Sequence, residues 1–196
     1  LIIDPATNTA DTTTITGLGA GGEKWAGGVL ASNGKIYGIP SNSESVLIID
    51  PTTNTTDTIT ITGLSGGAKW YGGVLAGNGK IYGIPSNSES VLIIDPTTNT
   101  TDTTAITGLN GNFKWNGGVL AGNGKIYGIP LLSESVLIID SATNSTNAIT
   151  TITGLGEGGS GWYGGVLAGN GKIYGIPYQS ESVLIIQSAC MLTGGL

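Results

Sequence analysis

The chain of 196 residues contains no histidine, no arginine and a single cysteine. Ser-His-Asp and Cys-His catalytic sites, histidine-containing metal sites and arginine clamps for phosphate therefore cannot form from these residues. Cys190 has no second cysteine with which to make an intrachain disulfide. These absences predict a protein that is not an enzyme and that carries no cofactor or metal.

Charge and long apolar runs are also scarce. Only 10% of the residues are charged, the net charge is −6 and all seven cations are lysines, which predicts no nucleic-acid partner. Purely aliphatic runs, such as 46–49, reach only four residues, far short of the ~20 that span a bilayer. The 39% hydrophobic content nevertheless predicts a folded chain.

A unit of 45 residues recurs four times. Trp25, Trp70 and Trp115 are spaced 45 residues apart, and Trp162 follows after 47. Residues 27–58 match residues 72–103 at 31 of 32 positions. A period in this range indicates propeller blades or a solenoid.

One repeat contains signals for four strands, which we call A to D in chain order. Strand A begins at Tyr71 and ends at an Asn-Gly pair, the strongest short signal for a β-hairpin. Strand B begins at Lys80, and the wholly aliphatic strand C begins at Val91. The alternating residues 103–107, and 58–62 in the first repeat, predict an outer strand D. Each repeat is therefore predicted to be a four-stranded antiparallel meander.

Four such strands per repeat predict an all-β fold, a β-propeller with blades of about 45 residues. A pair of glycines in strand A, Gly72 and Gly73, suits an inner strand where neighbouring blades crowd together. A parallel β-solenoid is the alternative, but its coils do not need Asn-Gly hairpins. Residues 1–18 correspond to strands C and D of a terminal blade, and the four repeats cover residues 19–63, 64–108, 109–154 and 155–196.

The two ends of this array leave its closure open. A four-bladed ring could close by pairing of the N- and C-terminal strands, or a surplus strand could pair with a neighbouring subunit and propagate a filament. Leu1 begins inside a strand-like segment, without a methionine or a leader, so we expect a processed or partial chain.

Three motifs of the repeat resemble those of a known family. These are Gly-Lys-x-Tyr at 79–82, Ser-x-Ser-Val-x-x-Ile-Asp at 88–95 and Thr-Asn-Thr at 98–100. In this order they resemble the YVTN-type propeller repeat of archaeal and bacterial surface-layer proteins, and the similarity covers all four repeats. The turn Gly-Asn-Gly replaces the family's Pro-Asp-Gly, and Ile-Pro ends strand B. The resemblance implies a propeller at the cell surface without established catalysis.

Glycosylation acceptors recur at one position of the repeat. Asn54, Asn99 and Asn144 each begin an Asn-x-Ser/Thr sequon, whereas the equivalent Asn8 does not. Such a pattern predicts N-linked glycans and therefore an extracellular or cell-surface protein.

The aromatic residues around the start of strand A are the candidate ligand contacts, because they could stack on sugar rings. They are Trp25, Trp70, Tyr71, Trp115, Trp162 and Tyr163. The alternative is that the tryptophans pack between blades, since one aromatic per repeat is what a repeated core needs.

Two recurring sets of acidic residues have structural explanations. The repeated glutamates Glu44, Glu89, Glu134 and Glu181 are equivalent loop residues, whereas a glycosidase needs two carboxylates in different environments. Asp50, Asn54 and Asp57 could supply oxygen ligands to calcium, but turn capping explains the same residues without a metal.

Two functions fit these patterns. The first is a non-catalytic structural protein, a glycosylated surface-coat or fibre subunit that associates with itself. The second is a lectin-like propeller that binds glycans at several equivalent sites. Exposed tryptophans would favour the lectin, and buried ones the structural protein. The loops that differ between repeats, D to A and B to C, are predicted to share one face, opposite the sequons.

Overall fold

The computed structural model describes residues 1–143, 149–153, 155 and 161–187. These residues form seventeen β-strands and no helix, so no helix among them could cross a membrane. The strands are Ile2–Asp4 (β1), Thr9–Asp11 (β2), Trp25–Leu30 (β3), Ile36–Pro40 (β4), Leu47–Asp50 (β5), Thr55–Asp57 (β6), Trp70–Leu75 (β7), Ile81–Pro85 (β8), Leu92–Asp95 (β9), Thr100–Asp102 (β10), Trp115–Leu120 (β11), Lys125–Pro130 (β12), Val136–Asp140 (β13), Ile149–Ile152 (β14), Trp162–Leu167 (β15), Lys172–Pro177 (β16) and Leu184–Gln187 (β17).

Each repeat forms its own antiparallel sheet with the strands in chain order. The first three repeats give the sheets β3 to β6, β7 to β10 and β11 to β14, and the fourth gives β15 to β17. Strands β1 and β2 form a separate pair at the N-terminal end. The predicted all-β meander is therefore confirmed.

The predicted outer strand is wrong in the first two repeats. Strand D covers only Thr55–Asp57 and Thr100–Asp102, and the alternating segments 58–62 and 103–107 are not in strands. The Asp57 carboxylate accepts hydrogen bonds from the backbone N–H groups of Ile59 (2.8 Å) and Thr60 (2.9 Å). This local turn competes with the ladder and ends the strand.

Neighbouring sheets pack face to face around three apolar cores. We call the side of a sheet that packs on the following repeat its forward face, and the side that packs on the preceding repeat its rear face. The first core joins the forward-face residues Val29, Tyr37, Ile39, Val46 and Ile48 to the rear-face residues Trp70, Ile81, Leu92 and Ile94. Equivalent residues build the second and third cores. One interface is thus repeated three times along the chain.

Glycines at the inner strands bring the sheets close together, as predicted. A β-carbon on Gly27 would lie 3.1 Å from the Cα of Gly72, and one on Gly72 would lie 3.0 Å from the Cα of Gly117. A β-carbon on Gly117 would lie 3.3 Å from the Cα of Gly164, but one on Gly164 would meet nothing within 4 Å. The described array is therefore open, and its terminal strands do not pair with each other.

The loops segregate to two faces of the array. Asn33, in an A to B turn, donates to the carbonyl of Pro96 in the C to D turn of the next repeat (3.0 Å). On the opposite face, the backbone N–H of Lys69 in a D to A loop donates to the carbonyl of Ser41 in a B to C loop (3.2 Å). The variable loops therefore lie together, as predicted.

Candidate functional site

Three of the four tryptophans are buried between sheets. Trp70, Trp115 and Trp162 are 3%, 4% and 8% exposed, and Trp25, on the first sheet, is partly exposed. Each indole Nε1 donates a hydrogen bond of 2.7–2.8 Å to the carbonyl of a serine twenty residues further along, namely Ser45, Ser90, Ser135 or Ser182. The buried indoles leave a ligand no open ring face, so among the six candidate contacts only Trp25, Tyr71 and Tyr163 offer accessible surface.

A lysine before strand A locks neighbouring repeats together. The buried Nζ of Lys114 donates to the carbonyls of Ser86 (2.6 Å) and Ser88 (3.0 Å) in the preceding repeat and of Gly111 (2.7 Å) in its own. Burial lowers the pKa of the Lys114 ammonium to about 8, and the nearby Glu89 offsets part of this effect.

The equivalent Lys69 repeats the arrangement with Ser41, Ser43 and Gly66 as acceptors. In both repeats the ammonium also lies within 6 Å of the adjacent tryptophan ring centre, at 5.9 Å from Trp70 and 5.8 Å from Trp115. Because the carbonyls saturate the ammonium donors, these lysines are structural groups.

The inner strands converge on one cleft at the face that carries the variable loops. This axial cleft has a volume of about 410 Å³ and is lined by side chains from all four repeats. Its principal side chains are Glu23, Trp25, Tyr71, Asn116 and Tyr163. It is the candidate functional site, because a concave surface with a few convergent polar groups is what small-molecule sites share.

Two polar residues in the cleft bond to each other. The hydroxyl of Tyr71 donates to Oε2 of Glu23 at 2.8 Å. Burial raises the pKa of the Tyr71 phenol above its ordinary value, and the hydrogen bond to Glu23 raises it further. At neutral pH the phenol therefore stays protonated and holds the carboxylate in place.

Two further features of the cleft are an amide and a pair of rings. Asn116 is only 8% exposed, and none of the residues that the structure describes forms a hydrogen bond with its side chain. Tyr163 is 49% exposed, and its ring centre lies 5.5 Å from that of Tyr178 in the neighbouring B to C loop. The cleft thus combines a carboxylate, an unpaired amide and an open aromatic surface.

The two sequons whose positions are described, at Asn54 and Asn99, lie on the face opposite the cleft. Asn54 is exposed. Asn99 is half-buried, and its side-chain Oδ1 accepts a 2.7 Å hydrogen bond from the hydroxyl of Tyr37 in the preceding repeat. Asn144 lies outside the described residues.

The repeated carboxylates lie in exposed loops and in turns. The four loop glutamates are all exposed. Asp50 accepts from the backbone N–H of Thr52 (3.0 Å) and lies 3.4 Å from the Lys35 ammonium, which is the expected turn capping. Among the residues with described positions, no three His, Cys, Asp or Glu side chains are grouped to hold a metal ion.

Sequence reasoning identified Tyr71 and Tyr163 but missed Glu23 and Asn116. The missed signal is the residue after each tryptophan, which is Ala26, Tyr71, Asn116 or Tyr163 in otherwise similar repeats. The tryptophan before this position and the two glycines after it are the same in every repeat, whereas the residue itself changes. Such a residue is a candidate for ligand binding, because packing of the repeated core does not require it.

The chain matches no protein-family model, and no curated protein is similar to it in sequence. Solved structures similar in fold include hydrazine synthase of Kuenenia stuttgartiensis, with a TM-score of 0.64 and 14% identity over 84% of this chain and 46% of that one. Virginiamycin B lyase from Staphylococcus aureus gives a TM-score of 0.66 at 11% identity, over 87% of this chain and 57% of the lyase.

A third similar structure is an auxiliary nutrient binding protein from Bacteroides ovatus, with a TM-score of 0.58 and 13% identity over 83% of this chain and 44% of that one. The chain therefore spans about half the length of each of these three solved chains. At these identities the likeness shows the fold alone, and the fold of this chain is an all-β, propeller-like array of antiparallel sheets.

Proposed function

We propose that this chain is a non-catalytic, extracellular structural repeat protein, a surface-coat or fibre subunit whose copies associate end to end. The observation that carries the proposal is that the last sheet exposes its forward face and the first four-stranded sheet exposes part of its rear face, which are the two sides that pack on each other between repeats. Self-association then extends a packing arrangement that the chain already uses three times.

The last sheet exposes a forward face. Ile176 is 49% exposed, whereas the equivalent Ile84 and Ile129 are fully buried. Val183 is 52% exposed, and its equivalent Val136 is fully buried. Covering apolar surface of this kind lowers the free energy by roughly 25 cal/mol per Å² of apolar area.

The first sheet exposes part of a rear face. Leu30 is 61% exposed, whereas the equivalent Leu75 is partly buried against the first core. Ile36 is also partly exposed, and its equivalent Ile81 is fully buried. Forward and rear faces differ, so pairing them is a head-to-tail contact that gives rings if the rotation closes and filaments if it does not.

Three further observations support the extracellular and structural parts of the proposal. The sequons and the resemblance to YVTN-type surface-layer repeats favour a cell-surface protein. Near-identical repeats suit a repeating assembly better than one asymmetric catalytic centre. Buried indoles favour the structural protein over a lectin with four equivalent tryptophan sites.

Sedimentation velocity over a range of concentrations, with electron microscopy of the same samples, tests the assembly. We expect the native chain to form polymers or closed rings, and we expect Ile176→Glu to lower its association at least tenfold because a charge would lie in an apolar interface. Ile59→Glu is the matched control, since Ile59 is 83% exposed and belongs to neither face. A native chain that stays monomeric, or an Ile176→Glu chain that assembles as the control does, would contradict the proposal.

Peptide mass spectrometry of material from the natural source tests the glycans separately. We expect N-linked sugar on Asn54, which is exposed. Asn99 is expected to carry less, because its side chain is hydrogen-bonded to Tyr37. Unmodified Asn54, Asn99 and Asn144 would remove the glycoprotein part of the proposal and leave the assembly unaffected.

A further inference from the structure

The axial cleft is lined by a residue of strand A that differs between the repeats. The four inner strands begin alike, with a tryptophan, one variable residue and two glycines. The variable residues are Ala26, Tyr71, Asn116 and Tyr163, and all four line the cleft. Packing does not require their larger side chains, because the first repeat accommodates alanine. The cleft is thus one asymmetric site built on a repeated frame.

Asn116 is the clearest sign that something binds there. Its residue is more than nine-tenths buried, it lines the cleft, and no described residue pairs with its amide. Among the described residues, only the Ser41 hydroxyl is a fully buried side-chain group without a partner, so the Asn116 amide is reachable from the cleft and can hydrogen-bond only with solvent or with a bound molecule. A ligand that both accepts from Nδ2 and donates to Oδ1 would give this amide the two partners that the protein does not supply.

Glu23 provides the second polar contact. Tyr71 fixes one of its carboxylate oxygens, whereas the other, Oε1, receives no hydrogen bond from the described residues. That oxygen is an acceptor held in position before a ligand arrives. Binding then orders little that is not already ordered.

We propose that the axial cleft binds a neutral, hydroxylated ring such as one sugar unit. A hydroxyl group can donate to Glu23 and can also accept from the Asn116 amide. The exposed Tyr163 ring, packed against Tyr178, offers an apolar surface for the C–H face of such a ring. The volume of about 410 Å³ lies within the range of small-molecule pockets.

Charged ligands fit the same groups less well. An anion would meet the Glu23 carboxylate, and the lysines that precede strand A in the first three repeats already donate to backbone carbonyls. A quaternary ammonium ion such as tetramethylammonium would satisfy Glu23 and could lie over Trp25, but it has no acceptor for the Asn116 Nδ2 group. The site therefore favours a ligand with both donors and acceptors, bound once per chain and independently of assembly at the end faces.

Saturation-transfer-difference NMR on the whole chain tests the proposal. The probes are methyl glycosides of glucose, galactose and mannose, with tetramethylammonium and methyl glucuronide as the cationic and anionic comparisons. We expect at least one neutral glycoside to bind, and Asn116→Ala to weaken that binding by about tenfold or more. Asn112→Ala is the matched control, because Asn112 is exposed in the loop just before the same strand.

Variants at position 116 are expected to fold, because the other repeats carry different residues at the equivalent position. Alanine and tyrosine both occupy the position of Asn116 in other repeats, so Asn116→Tyr serves as a second variant in which loss of binding is expected. Glu23→Gln should also weaken binding, because an amide is a poorer acceptor than a carboxylate. The proposal is overturned if no neutral glycoside binds, if only tetramethylammonium or only the glucuronide binds, or if Asn116→Ala binds as tightly as Asn112→Ala. None of these outcomes bears on the end-to-end assembly, which sedimentation measures separately.

Discussion

At the scale of single residues, the lysines that precede the tryptophans of the second and third repeats are buried, which the sequence does not indicate. Lys24, Lys69 and Lys114 occupy this position in three repeats, and Gly161 occupies it in the fourth. The sequence shows the repetition but not the burial, because lysine is mostly an exposed residue. Only the packing of neighbouring repeats brings the three acceptor carbonyls around one ammonium.

Replacing Lys114 with methionine should destabilise the protein. The change keeps most of the side-chain volume but removes three hydrogen bonds to carbonyls that are buried or partly buried, so we expect the free energy of unfolding to fall by about 2–3 kcal/mol. Lys125→Met is the matched control. Lys125 lies 3.3 Å from Asp140 in an exposed pair, and its loss should cost less than about 1 kcal/mol. Urea unfolding of both variants measures the difference, and equal losses would refute a structural role for Lys114.

The turn aspartates predict how stability depends on acid. A backbone hydrogen bond from Thr104 is the main cause that lowers the pKa of Asp102 below its ordinary value of 3.8. A carboxyl group with a lowered pKa in the folded state contributes stability that is fully present above pH 3.8 and is lost as the pH falls through the folded pKa. We therefore expect the melting temperature to fall below about pH 3.8.

Asp102→Asn isolates this contribution. The amide oxygen still accepts the turn hydrogen bonds but does not titrate, and asparagine occupies the equivalent position 147 of the third repeat. The decrease in melting temperature from about pH 5 to about pH 2, a range that brackets the titration of an aspartate, should be smaller in the variant than in the native chain. An identical loss in both would show that Asp102 does not contribute to acid sensitivity.

At the scale of the strand, the sequence predicts strands A, B and C correctly, but it misplaces strand D in the first two repeats. The A to B hairpin depends on Asn78-Gly79, a local signal, and the structure closes it with a 2.9 Å bond from the Ala76 N–H to the Lys80 carbonyl. The error in D arises because Asp57 and Asp102 form turns through their own side chains. Alternating threonine and isoleucine also suits a strand, so periodicity alone could not tell which local structure is favoured.

Gly72 tests how closely the inner strands must approach. Both Gly72 (φ +75°) and Gly79 (φ +79°) have left-handed backbone conformations, but a β-carbon on Gly79 would meet nothing within 4 Å. Gly79→Ala should therefore cost only the conformational term, about 1–2 kcal/mol. Gly72→Ala adds a backbone contact of 3.0 Å with the Gly117 Cα, and we expect a further loss of about 1–3 kcal/mol. Thermal or urea unfolding compares the two variants, and equal costs would show that the approach of the strands can relax.

At the scale of the whole molecule, the repeat count was predictable and the closure was not. The same interface packs one repeat on the next whether the array is a ring or an open arc, so nothing local in the sequence specifies how many repeats complete a turn. The axial cleft was hidden for the same reason. Glu23, Tyr71, Asn116 and Tyr163 are far apart in sequence, and the curvature of the array brings them to one cleft.

An open array should be least stable at its ends, and association should protect those ends. The sheets β7 to β10 and β11 to β14 each pack against two neighbours, whereas the described contacts of β15 to β17 join it to one. Because the stability of a repeat array is roughly a sum over repeats and their interfaces, amide hydrogen exchange should be slower in β8 and β12 than in β16 at low protein concentration.

Measuring exchange at higher protein concentration distinguishes two reasons for fast exchange in the last sheet. The sheet could exchange fast because its forward face is uncovered, or because its own strands are less stable. If forward and rear faces pair between chains, exchange in β16 should slow as association proceeds, while β8 and β12 change little, because their faces are already covered. Ile176→Glu should abolish this dependence on concentration, and Ile59→Glu should retain it. Equal exchange rates in all sheets would contradict the view that stability is a sum over repeats and their interfaces. If exchange in β16 does not depend on concentration, its exposed apolar face does not take part in contacts between copies.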